Sequence, residues 1–457
     1  MSLTISPDQF QKAYQQLAEF VAINSVSNRG SLDYNPNTLK EAAVYISERL
    51  EECGCNVSTI SYGTPDTPPV VLAELAAKTN ATAKTIIIYG HYDVPPVEEG
   101  KWNTDPFTLT QKEGRYYGRG ASDGKGGLIA ITTALQTLKS FNKQPKYNLI
   151  ILLEGQEEYG SLYTITLLRD QATRSHAAAL IVFDGGNKDV NTGTLEISTR
   201  GVLTMHLEVK ALQNPTPSGV GCLAPDPAQT LAKLIVSLEN PRQIVGFMED
   251  CTPPSQERLT SLALSSVTTE KYAKEHRLLS GVVLRGDPAT SVYERIENEP
   301  SISIVNMTCG SPDGGYSIQD RAQCTIGIRL TSGQDPARIE EVVKRHLLRQ
   351  PNPFKLPIDL YRKGLSAKAW SGQLGPISKE YLTALGQTFP KTATMPTGGT
   401  LPLFADFQKV FPEMEMLIVG IEDPDTCAHS HNESQSQIVF ERAANAFLKF
   451  LTEESNS

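Results

Sequence analysis

Four short, continuous apolar runs constrain this chain more than any other feature: TIIIYGH (85–91), NLIILLEGQEE (148–158), AAALIVFDGG (177–186) and MEMLIVGIEDP (414–424). Continuous apolarity, in place of alternation, predicts strands covered on both faces, as a parallel sheet requires. Helix-patterned segments from Gly127 to Phe141 and from Gly160 to Gln171 lie between the runs and supply the crossovers. The expected class is α/β, a mostly parallel sheet flanked by helices. Such sheets bind ligands beyond the carboxyl ends of their strands. The first run breaks at Gly90 and presents His91 and Asp93, and the other three end in acidic residues or glycine. Chemistry is therefore sought there.

The flanking segments read as scaffold. Ser6-Pro7-Asp8 offers a cap and a first-turn proline to a helix with Phe10, Tyr14, Leu17 and Val21 on one face. A second helix is expected from Asn37 to Cys53, then strands at Asn56 to Ser61 and Val70 to Ala76. After Thr199-Arg200-Gly201 the pattern changes. Leu203 to Lys210 alternates like a half-solvated antiparallel strand, and Ser301 to Asn306 and Gln323 to Leu330 look similar. Helical segments follow at Asp226 to Ser237 and Asp335 to Leu348, with a polar, helical insertion from 256 to 280. A chain of 457 residues exceeds what one core usually holds. The expectation is a discontinuous catalytic domain over 1–201 and 366–457, with a smaller α+β lid or dimerisation domain inserted over 202–365.

Charge and cysteine content exclude some functions. A net charge of −9 without a dense Lys/Arg patch argues against nucleic-acid binding. Seven cysteines without CxxC spacing leave at least one thiol unpaired and fit a reducing compartment. The N-terminus lacks the charged and apolar regions of a signal peptide, and no apolar run is long enough to span a membrane. A cytoplasmic protein with no membrane partner is expected.

Five candidate metal ligands stand at the run ends or in adjoining loops: His91, Asp123, Glu158, Asp184 and His429. Two imidazoles and three carboxylates suit two divalent ions such as zinc, manganese or cobalt, with one carboxylate bridging. Each candidate also has an ordinary alternative. His91 fits a loop histidine bonded to backbone, although Asp93 is well spaced to accept the other ring N–H of a ligating imidazole. Asp123, before Gly124-Lys125-Gly126-Gly127, fits a helix cap, and the glycine-rich loop lacks phosphate-loop spacing. Asp184 fits a turn aspartate and His429 a surface histidine. Glu157-Glu158 fits a solvated helix start, where the dipole favours acids. On a loop after a buried strand, however, Glu158 can face a metal while Glu157 serves as general base toward water.

The motifs HYDVPP, WNTDPF, YGRGASDGKGG, LLEGQEEYGS, FDGGN, IRLTSGQDP, GGTLP and AHSHNE occur in that order over nearly the whole chain. Together they resemble the co-catalytic metallopeptidases that include carnosinase-type dipeptidases, carboxypeptidase G, aminoacylase and succinyl-diaminopimelate desuccinylase, with the dipeptidase branch nearest in spelling. The resemblance implies that His91, Asp123, Glu158, Asp184 and His429 hold two metal ions, with Asp123 bridging. It implies that Asp93 orients His91, that Glu157 is the base, and that the Asp123-Gly124 peptide is cis. Arg329 and the Gly398-Gly399-Thr400 turn fall where the family grips a substrate carboxylate, a task suited to a guanidinium fork.

One departure stands out. The family's smaller domain carries a histidine that reaches a neighbouring site across a dimer and polarises the scissile carbonyl. QNPTPSGVG puts Pro217 at that position, and proline has no hydrogen to donate. His206 is a candidate replacement. The function expected is metal-dependent cleavage of an amide bond in a dipeptide or N-acyl amino acid with a free carboxylate. The alternatives are a deacylase or desuccinylase, or a catalytically weak relative that binds metal and amino acids. A homodimer through the inserted domain is a further family expectation.

Overall fold

The computed structural model describes residues 3–64, 66–78, 82–98, 100–161, 163–310 and 315–452. Its centre is a nine-stranded sheet in which Asn148–Glu154, Thr85–His91, Ala179–Phe183 and Glu415–Val419 run side by side in parallel. These are the four apolar runs. Ile86 and Ile88 enter one hydrophobic layer, while Ile87 and Tyr89 enter the other. Leu149, Ile151 and Leu153 alternate in the same way with Ile150 and Leu152. Each such buried aliphatic side chain contributes roughly 1.5–3 kcal/mol, so neither face tolerates exposure. Strands Asn56–Ile60 and Val70–Leu75 extend one edge antiparallel, and Thr192–Thr199 continues the other beside Lys391–Thr397 and Trp370–Ser371.

Helices cover both faces of this sheet. Pro7–Ala22 and Gln437–Thr452 pack on Lys125–Ser140, and Thr164–Ser175 and Pro402–Val410 lie against the opposite layer. Helix Pro7–Ala22 begins with a complete capping box: the Gln9 N–H donates to the Ser6 hydroxyl, and the Ser6 N–H donates to the Gln9 side chain. Helix Gln437–Thr452 lies beyond the segments expected above, although Val439, Phe440, Ala443, Ala444 and Phe447 are buried along it.

A separate four-stranded antiparallel sheet joins Ser301–Thr308, Arg321–Leu330, Gly201–Lys210 and Ile358–Ala367 in that spatial order. Helices Pro227–Val236 and Pro336–Leu348 pack on it through their own core. Strand Gly201–Lys210 is not half-solvated as its alternation predicts. It is one of the two inner strands, where the His206 ring lies tilted against Tyr361 with centroids 4.9 Å apart and Glu208 meets Lys210 at 2.9 Å, so its polar face is covered too. The polar insertion forms helices Gln256–Ser265 and Thr269–Glu275 with Val292–Asn298 nearby.

Candidate metal centre and its surroundings

Strand ends converge as the apolar runs predict. His91 closes Thr85–His91, Asp184 follows Ala179–Phe183, and Glu157 and Glu158 form a short 3-10 turn after Asn148–Glu154. Asp123 arrives from the loop before helix Lys125–Ser140, and His429 from the loop after Glu415–Val419. Asp123 does not cap that helix, whose N-cap is Gly124 without a side-chain hydrogen bond. The Asp123-Gly124 peptide is cis. Lys125 is buried, and its ammonium donates to the carbonyls of Phe20 and Ile23 at 3.0 and 2.6 Å, so the loop offers no cation to a phosphate.

Two donor clusters share Asp123. In one, His91 Nε2 lies 3.1 Å from Asp123 Oδ1 and 3.5 Å from Asp184 Oδ1. In the other, His429 Nε2 lies 2.9 Å from Asp123 Oδ2 and 3.2 Å from Glu158 Oε2. Among the described residues, His91 Nε2 and Glu158 Oε1 are buried without a hydrogen-bond partner. Nitrogen and oxygen donors aimed at a common point, two of them orphaned, fit divalent cations of the zinc, manganese or cobalt type. A Cβ on Gly124 would stand 2.6 Å from His91 Nε2, so this backbone can approach the ring only without a side chain.

The surroundings hold these donors in place. Asp93 is wholly buried, with Oδ1 3.4 Å from His91 Nδ1. It also accepts the backbone N–H groups of Glu157 and Glu158 at 3.2 and 3.1 Å, tying the first strand end to the second. Burial pushes the Glu157 carboxyl well up, and the Asp184 charge adds to the rise. Burial works to lower the His91 imidazole, but the surrounding carboxylates of Asp123, Asp184 and Asp93 outweigh it and hold the group well above its ordinary range. His429 is raised by Asp123 and Glu158 and has a left-handed backbone, φ 57°. Carboxylates outnumber cations here, and bound cations would balance them.

Sequence reasoning missed two acids. Glu433, the last residue of AHSHNE, is completely buried. It accepts the backbone N–H groups of Gly120, Ser122 and Asp123 at 3.0, 3.1 and 3.1 Å and pairs with Arg119 at 2.7 Å. The motif was visible, but its glutamate gave no sign of acting on a loop 310 residues away in sequence. Glu196, on strand Thr192–Thr199, accepts the Gly186 N–H at 2.8 Å and a hydrogen bond from the Thr397 hydroxyl. It thereby links the turn after Asp184 to the segment leading into Gly398.

Arg329, on strand Arg321–Leu330, donates to the Thr400 hydroxyl at 2.7 Å, and Gly399 accepts the Arg200 N–H at 2.9 Å. Among the described residues no carboxylate pairs with Arg329, and burial pulls its pKa down. A structural ion pair at Arg329 is thus not formed among the described residues. Pro217 lies opposite Ser317 in a two-residue antiparallel pairing and is exposed. His206 is buried within the four-stranded sheet against Tyr361, and among the described residues no hydrogen bond or ion pair joins it to the donor clusters.

A parallel α/β sheet with such a donor set at its strand ends defines a hydrolase that works with metal. The model of peptidase family M20/M25/M40 matches residues 87–453, and the chain belongs to that family. It is 27% identical to a cysteinylglycine-S-conjugate dipeptidase of Corynebacterium striatum, covering 98% of this chain and 97% of that protein. It is 25% identical to the β-Ala-His dipeptidase of Homo sapiens, covering 96% and 89%. The crystal structure of human carnosine dipeptidase 1 superposes with a TM-score of 0.80 at 24% identity, over 97% of this chain and 96% of the other, and shows the same fold.

Proposed function

We propose that this protein is a metal-dependent dipeptidase that hydrolyses short peptides with a free terminal carboxylate. The observation that carries the reading is the sharing of Asp123 between the His91–Asp184 and Glu158–His429 clusters, with Glu157 close enough to feel the charges of Asp184, His91 and Glu158. His91, Asp123 and Asp184 would hold one ion, and Asp123, Glu158 and His429 the other. Zinc is the expected metal, with manganese and cobalt as chemical equals. Bound there, the ions supply Lewis acidity that acidifies water and polarises an amide carbonyl.

The chain's own groups do the rest. Glu157 takes a proton from water on its carboxylate and delivers it to the departing amine nitrogen. Asp93 fixes the His91 ring and, through the two N–H groups it accepts, the position of Glu157. Arg329 and the 398–400 turn receive the substrate carboxylate, which supplies the anion that the guanidinium lacks. The names of the dipeptidase relatives support a dipeptide over an N-acyl amino acid.

The same reading takes 202–365 as the lid and 1–201 with 366–457 as the catalytic domain. It makes the protein a homodimer through the lid, supported by strand Ser301–Thr308, an open sheet edge with Val305 64% and Met307 50% exposed. Seven free thiols support a cytoplasmic location. Among the described residues no helix is long and apolar enough to cross a membrane.

The test is turnover of a panel of dipeptides and N-acyl amino acids by protein loaded with each metal. Metal-dependent release of amino acids from dipeptides is expected. Turnover restricted to N-acyl amino acids would replace the dipeptidase by a deacylase, and binding of metal without any turnover would leave only a binding role.

A further inference from the structure

Between the end of helix Pro227–Val236, the turn Pro241–Gln243, helix Val292–Asn298 and the start of strand Ser301–Thr308, a cavity of about 1090 Å³ opens. Four guanidinium side chains line it, Arg200, Arg242, Arg285 and Arg295, against two carboxylates, Glu239 and Glu299. The wall therefore carries two positive charges in excess, in a chain whose net charge is −9. A cavity dominated by one sign of charge concentrates ions of the other. Among the described residues, none of the metal-ligand candidates, Glu157, Arg329 or Thr400 lines it.

The two carboxylates leave these cations largely uncompensated. Arg242 meets Glu299 at 3.5 Å with its side chain 65% exposed, a contact that water screens. Arg285 Nη2 donates to the carbonyl of Glu239 and Arg295 Nη1 to the carbonyl of Arg285, each at 2.7 Å, and among the described residues neither guanidinium forms an ion pair. Arg200 Nη2 likewise turns to carbonyls, those of Glu299 and Arg329, at 2.6 and 3.2 Å. Carbonyl acceptors orient a guanidinium but leave its charge in place. Gly286 permits the crowding: its φ is 90°, and a Cβ there would stand 2.9 Å from Arg295 Cδ and 3.2 Å from Glu299 Oε2. The chain at Arg285 and the guanidinium of Arg242 thus approach the same carboxylate. Both of these arginines are exposed, so a ligand can reach them.

We propose that this cavity binds a phosphate group, free or carried by a small organic molecule. A phosphate monoester has a charge of about −1.5 to −2 near neutral pH and three acceptor oxygens. That matches both the surplus of two cations and the planar donor fork of an arginine. Arg242 and Arg285 donate to the phosphate oxygens, and Arg200 and Arg295 add their charge from the wall. Val236, Leu284 and Ile296 line the same space and offer an apolar side to an organic portion. The proposal goes beyond the hydrolytic reading and does not rest on it, because its readout is the binding of molecules without a peptide bond.

Calorimetric titration of the full-length, metal-loaded protein with phenyl phosphate and with inorganic phosphate tests it, beside benzyl alcohol, which lacks the phosphate. Both phosphates are expected to bind, more weakly at higher salt, and benzyl alcohol not. Phosphate can also sit on bound metal, so the site is assigned by a double variant, Arg242→Gln with Arg285→Gln, at two exposed positions. It is expected to bind both phosphates about tenfold or more weakly, the loss of hydrogen bonds to a charged group, with metal content and circular dichroism unchanged. Undiminished affinity in the double variant would place the phosphate on the metals and overturn the proposal. Binding of benzyl alcohol as tight as that of phenyl phosphate, or no binding of either phosphate at millimolar concentration, would overturn it too. Tighter binding of phenyl phosphate than of inorganic phosphate identifies a phosphorylated organic molecule as the occupant, and similar binding of the two identifies free phosphate.

Discussion

Asp93 and Glu158 are joined across the centre: Oδ2 of the first accepts the backbone N–H of the second at 3.1 Å. The same carboxylate faces the His91 ring. His91 Nδ1 also meets the Asp93 main-chain carbonyl at 3.1 Å, so this one residue touches a member of each donor cluster. Asp93→Asn keeps the shape but weakens both attachments, and metal affinity is expected to fall about 10–100-fold. Competition with a chelating dye measures this. Unchanged affinity would show that His91 and Glu158 are held by other means.

Glu157→Gln removes the proton acceptor and leaves every donor of both clusters in place. A kcat lower by about 10²–10⁴-fold with full metal content is expected. Kinetics and elemental analysis on one preparation separate the effects, and wild-type kcat in the variant would assign the proton transfer to another group.

Gly124→Ala puts a methyl group 2.6 Å from His91 Nε2, closer than any side-chain atom can stand. The ring is expected to be displaced and metal content to fall well below that of the wild type, while circular dichroism still reports a folded α/β protein. Full occupancy with normal turnover would mean that the backbone shifts at no cost to the site.

Arg329→Ala leaves Thr400 without its donor and the substrate carboxylate without a cation. Hydrogen bonds to a charged group contribute roughly 1.5–3 kcal/mol, so KM is expected to rise about 10–100-fold with a smaller change in kcat. A peptide amide, which has no carboxylate, should be insensitive to the substitution. Equal losses on both substrates would remove Arg329 from carboxylate recognition.

Glu196 gives a pH dependence. Burial raises its pKa from 4.5 to about 8, so between those values the folded chain keeps a proton that the unfolded chain has released. Its contribution is fully present below pH 4.5 and is lost as pH rises through about 8. Glu196→Gln, which cannot ionise, is expected to flatten this part of the stability curve by an amount on the order of a few kcal/mol. Denaturant midpoints across the range measure it, and parallel curves for the two proteins would reject the assignment.

The sheet could be read from the chain because its four runs have no polar side to hide, and alternate residues do enter opposite layers. The candidate donors could be picked out because they end those runs or stand in the motifs that carry the family resemblance. Glu196 could not, since TLEIST carries its acid in mid-strand and only the fold brings Gly186 and Thr397 to it. The covered polar face of Gly201–Lys210 was hidden for a similar reason: alternation records side-chain polarity, whereas Tyr361 and Arg321 arrive from other strands. Arg329 and Thr400, 71 residues apart, meet as the family pattern implies, but their hydrogen bond belongs to the folded chain alone.

His429 comes last of the donors, and 245 residues separate it from Asp184. During synthesis the sheet can gather His91, Asp123, Glu158 and Asp184 while the remaining chain is still being made. The Glu158–His429 cluster can close only after strand Glu415–Val419 has taken its place beside Ala179–Phe183. A growing chain thus carries the full set of candidate donors only once most of it has left the ribosome, and a chain cut short anywhere before His429 lacks the second cluster.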